Sequence, residues 1–174
     1  TRSSTGSCWC TATSTRCKWV LSAVAQHDTL HLIGNLVFLW VFGLVIEGRL
    51  GWQRFIGLDI ALALLQGLAE SLLMFPFAPG WHEATAHTLS ASLGASSVIF
   101  GLMAIAVLWS PETEISCFYF FVRVWGSCEV IVLWLVAAFL AWEVAILLIW
   151  PMMGTSLLHV MGALAGVPLG DLMR

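Results

Sequence analysis

Between Leu30 and Ile46 the chain reads LHLIGNLVFLWVFGLVI, a run without one Asp, Glu, Lys or Arg. A helix of about 20 such residues, rising ~1.5 Å per residue, matches the ~30 Å hydrocarbon core of a bilayer. Four comparable segments follow: Phe55 to Phe77, Gly94 to Trp109, Val130 to Trp150, and one from about Ser156 to Arg174. Of the 174 residues, 60% are hydrophobic and 10% are charged, whereas a soluble domain is nearer a quarter charged. The mean hydropathy of +0.93 leaves too little polar surface to coat a water-soluble body. The expected fold is all-α, a polytopic membrane helical bundle with five visible spans.

The stretches between these segments punctuate them. Residues 1–17 are rich in Ser, Thr and Cys and are expected to be a polar tail outside the fold, leaving 18–174 as one membrane domain. Lys18 to Ala25 is too short to span and suits the interface, with Asp28 or Thr29 capping the first helix. Glu47-Gly48-Arg49-Leu50-Gly51 reads as a charged turn, Pro76 and Pro79-Gly80 end the second segment, and residues 78–92 form a loop with His82, Glu83 and His87. Residues 111–128 are expected to be a loop with an amphipathic piece along the membrane surface, and Pro151 to Ser156 turns the chain again. Arg49, Arg54, Arg123 and Arg174 on one side, against Arg2, Arg16 and Lys18 on the other, favour the first group as cytoplasmic.

Charge and cysteine usage narrow the function. The net charge is -3 and the few basic residues form no cluster, so nucleic-acid binding has no electrostatic footprint. Cys8-Trp9-Cys10 lacks the spacing and the second Cys/His pair of a zinc site, and Cys17, Cys117 and Cys128 do not supply them. No metal site and no organic cofactor is expected.

The polar residues inside the apolar segments carry the functional reading. Gly94 to Ser110 is short for a span, about 25 Å of helix at ~1.5 Å per residue, so its start lies below the membrane surface. Ser96 there sits at a helix N-terminus, where unpaired backbone N–H groups can stabilise an oxyanion, and Gly94 lets backbone approach a substrate. Alternatively Gly94, Ala95, Ser96, Ser97 and Gly101 are a packing surface of small residues. His159 lies three residues inside the last segment, with Gly162 and Gly166 on its helical face, and is suited to act as a base toward Ser96. As a lone histidine it also suits a structural hydrogen bond between helices. His31 and Asn35, four residues apart, share a face and can donate hydrogen bonds to an oxyanion or bridge helices. Phe100, one turn beyond Ser96, either packs on the imidazole or belongs to the core. Asp28 and Glu83 fall in loops and Glu143 deep in the fourth segment, so no acid stands in an obvious place to orient His159 and a Ser–His dyad is expected.

The set His31-x-x-x-Asn35, Gly94-Ala95-Ser96-Ser97 and His159-x-x-Gly162-x-x-x-Gly166, in this order, resembles the rhomboid intramembrane serine proteases over residues 20–174. The resemblance implies Ser96 as nucleophile, His159 as general base, and an oxyanion hole from His31, Asn35 and the Ser96 backbone N–H. Phe100 then lies beneath the catalytic histidine, and Glu47 and Arg49 match a structural acidic–basic turn. The family has Gly where this chain has Ser97, and its six-helix core implies a first helix before the five spans read here. The implied protein is a multi-pass one of a bacterial-type cytoplasmic membrane, with the lipid bilayer and transmembrane protein substrates as partners. Two other classes remain: an inactive rhomboid-like protein that binds membrane clients, and a small transporter using Asp59, Glu70 and Glu143 as a polar path.

Overall fold

A computed structural model describes residues 29–77, 95–121, 124–149 and 154–174. The expectations for the tail, for Lys18 to Ala25, for the 78–92 loop, for Gly94 and for Pro151 fall outside the described residues. Within them the chain forms helices α1 (Thr29–Leu50), α2 (Trp52–Phe77) and α3 (Ser96–Trp109), strands β1 (Glu114–Phe121) and β2 (Val124–Ile131), and helices α4 (Val132–Ile149) and α5 (Gly154–Leu172). The fold is a mostly helical membrane bundle, as expected.

Among the described residues three helices are long and apolar enough to cross a bilayer: α1, α4, and α5 over Thr155–Leu172. They are mostly apolar, and Trp40, Trp134, Trp142, Leu148 and Leu164 point outward, as suits a lipid solvent. α2 is long but carries Arg54 and Asp59. α3, at 14 residues, is about 21 Å long at ~1.5 Å per residue. This short helix is the hub of the molecule. It packs against all four other described helices, and Ser97 to Ala106 and Trp109 are all buried.

Two local expectations are corrected. The Glu47–Leu50 segment continues α1, and the reversal is confined to Gly51, whose φ of 77° is open to glycine at little cost. The Gly51 N–H donates to the Glu47 carbonyl at 2.7 Å, the αL ending of a helix. Residues 111–128 are not a loop with a surface-lying amphipathic piece, because EISCFYFF and VWGSCEVI are rich in β-branched and aromatic residues and form strands. They pair as an antiparallel hairpin with Glu114 opposite Ile131 and Cys117 opposite Cys128. At its base the Val132 and Leu133 N–H groups donate to the carbonyls of Thr113 and Pro111, so two otherwise unpaired donors of α4 are satisfied and the helix starts at Val132.

The closest contact in the bundle joins α3 to α5. A Cβ built on Gly162 would lie 2.1 Å from the Ser97 carbonyl oxygen, and one on Gly166 2.3 Å from that of Gly101. Only glycine fits where backbone meets backbone at that separation. At the far end of this seam the Trp109 indole N–H donates to the buried Gly170 carbonyl at 3.0 Å.

Candidate active site

The seam places the N-terminus of α3 beside the first turns of α5. Ser96 is the first residue of α3, and Ala95 precedes it with no side-chain cap. The Ile99 N–H donates to the Ala95 carbonyl, and the N–H groups of Ser96, Ser97 and Val98 stand before it at the helix N-terminus, where they have no acceptor among the described residues of α3. Ser97 and Gly101 face α5, whereas Ser96 and Phe100, four residues apart, form a neighbouring edge. Small-residue packing and a polar site therefore occupy different faces of the same helix.

His159, 9% exposed, reaches across that edge. Its Nε2 lies 2.8 Å from Ser96 Oγ. The Phe100 ring stacks on the imidazole with centroids 4.5 Å apart and planes 11° from parallel, which restricts the ring to rotation in its own plane. With Nδ1 protonated, Nε2 presents a lone pair to the serine hydroxyl. That arrangement permits transfer of the Oγ proton to Nε2 as Oγ attacks an electrophile. A transport path using Asp59, Glu70 and Glu143 predicts Ser96 and His159 far apart, and the 2.8 Å separation does not match that prediction.

α1 brings its N-terminal turns to the same region. It packs on α3, and His31 is near enough to His159 for an electrostatic interaction between the two rings. Asn35 lies one turn further along the His31 face, half-buried. Gly162 and Gly166 belong to the seam and set its closeness. Gly94 lies outside the described residues.

The expectation that no acid accompanies His159 does not hold. Glu143, buried in the middle of α4, places Oε1 2.9 Å from His159 Nδ1. The carboxylate stands away from the line of the ring N–H, so the contact is electrostatic rather than a straight hydrogen bond. The signal in the sequence was the cost of a lone carboxylate in an otherwise uncharged helix. Depth alone could not show which neighbour it faced. Among the described residues no group of His, Cys, Asp and Glu is arranged to hold a metal ion.

Comparison with curated proteins and with solved structures finds no significant match. The model of the rhomboid domain, in contrast, matches residues 14–174. Since that match takes in every described helix and both strands, the chain belongs to the rhomboid family.

Proposed function

We propose that this rhomboid-family protein is an intramembrane serine endopeptidase that cleaves peptide bonds in or next to transmembrane segments of membrane proteins. The observation that carries the reading is the 2.8 Å approach of Ser96 Oγ to His159 Nε2 in a bundle of apolar helices. Ser96 Oγ attacks the scissile carbonyl carbon while its proton passes to Nε2. The C–N bond then breaks as Nε2 returns that proton to the leaving amine, leaving an acyl-enzyme on Ser96. Water, deprotonated by His159, releases the acyl group. His31, Asn35 and the Ser96 backbone N–H serve as donors to the oxyanion of each tetrahedral intermediate. Every step uses protein groups and water.

In this reading the protein is a multi-pass component of a bacterial-type cytoplasmic membrane, with residues 18–174 as its membrane domain and 1–17 as a polar tail. A substrate segment reaches Ser96 from the lipid or the outer face, and unwinds there to expose its peptide bond. Reconstituted wild-type protein is expected to cleave a model single-span substrate and to be labelled by a fluorophosphonate. Ser96→Ala is expected to do neither, and His159→Ala to lose about 10³-fold or more in cleavage. Equal labelling of wild type and Ser96→Ala refutes the nucleophile assignment. A folded wild type that binds the substrate without cutting it points instead to the client-binding member of the family.

A further inference from the structure

Glu143 is the only charged residue of α4, between Trp142 and Val144 in a helix of apolar residues. An ionisable group at that depth is expensive unless it has a partner. Its side chain does not face the lipid: Glu143 is 9% exposed and Oε1 stands 2.9 Å from His159 Nδ1. Nδ1 is itself buried and has no straight hydrogen bond among the described residues. Nε2, on the opposite side of the ring, is turned to Ser96, and Phe100 covers one face. The imidazole thus has one reacting nitrogen toward the serine and one toward a carboxylate.

We propose that Glu143 is a positioning residue that converts the Ser96–His159 pair into a Ser–His–Glu triad. This rests on the protease reading above. The carboxylate selects the neutral tautomer with its proton on Nδ1, so that Nε2 carries the lone pair. When Nε2 takes the Ser96 proton, the imidazolium lies beside a fixed negative charge in a medium of low dielectric constant. Attraction between the two then draws the carboxylate onto the N–H line, the tightening expected of a resting site on reaching its reactive state. No proton passes to Glu143: protons travel between Oγ, Nε2, the leaving amine and the attacking water.

The test compares the full chain with its Glu143→Gln and Glu143→Leu forms in the same lipid. Cleavage of the model substrate is measured per folded molecule, using the thermal transition for the folded fraction. Both variants are expected to lower kcat by about 10²-fold or more, in line with the ~10⁴ loss when the acid of a serine-protease triad becomes an amide. KM should stay within about twofold, because Glu143 does not touch substrate. In parallel, ¹⁵N NMR of histidine-labelled wild type, with His159→Ala for assignment, is expected to show the Nδ1–H tautomer. A kcat within about threefold of wild type for either folded variant overturns the triad, as does an Nε2–H tautomer. The NMR reading needs neither turnover nor a Glu143 variant that folds. Loss of the protease reading is told apart by Ser96→Ala: if it cleaves as the wild type does, Ser96 is wrong whatever Glu143 does.

Discussion

α5 and α1 both meet α3 near Ser96, and they do so by different means. Between α3 and α5 backbone touches backbone, with no space for a side-chain atom on Gly162 or Gly166. Between α3 and α1 the contact is made by side chains, with Phe42 and Ile46 fully buried toward one end of α1. Toward the other end, which carries His31, Leu30 is 82% exposed and Ile33 and Val37 also face outward. A backbone seam has two fixed surfaces and no rotamers to absorb an error, so it holds Ser96 and His159 at one separation. A side-chain contact can readjust. The pair that must exchange a proton is held by the first kind of contact, and the two proposed oxyanion donors on α1, His31 and Asn35, by the second.

Gly162→Leu tests the rigid half and should have the largest effect. The new side chain cannot be housed without parting α3 from α5, an overpacking expected to cost about 3 kcal/mol of stability. Cleavage should fall with the folded fraction and also per folded molecule, since Ser96 and His159 separate with the seam. Denaturation in detergent, followed alongside substrate cleavage, measures both. Near-wild-type activity would show that the seam is not what sets the 2.8 Å approach.

Asn35→Ala tests the adjustable half. Loss of one oxyanion donor is expected to lower kcat about 10²-fold, or roughly 2.7 kcal/mol of transition-state stabilisation, with a smaller loss of stability than Gly162→Leu. A loss of stability as large as that of Gly162→Leu would make α1 as much a scaffold as α5 and erase the distinction.

The smallest effect is expected of Trp109→Phe at the far end of the seam, about 20 Å from Ser96 at ~1.5 Å per residue. It removes the indole donor to the Gly170 carbonyl and should lower stability by about 1 kcal/mol. Cleavage per folded molecule should match the wild type. A reduced kcat would mean that strain at one end of the seam reaches the other.

The apolar helices and the spacing of the polar residues were legible in the sequence because both are local properties. Apolar runs mark helices in lipid, and the 3.6-residue period aligned Ser96 with Phe100 and His159 with Gly162 and Gly166. The hairpin was missed because its apolar, aromatic strands sit between two spans and read equally as surface helix or loop. The turn after α1 was drawn too wide, since Glu47 and Arg49 suggested solvent while the single left-handed residue Gly51 suffices to reverse the chain.

What the amino-acid order determined by itself is the kind of molecule: a helical bundle for lipid, with a serine at the mouth of a short helix and a histidine on a glycine-lined one. Glu143 belongs to the other category. Its presence in α4 is written in the sequence, but its meaning depends on how α4 is rotated against α5. In a helix apolar on all sides no hydrophobic stripe fixes that rotation in advance. Packing alone turned Glu143 from the lipid toward Nδ1 of His159.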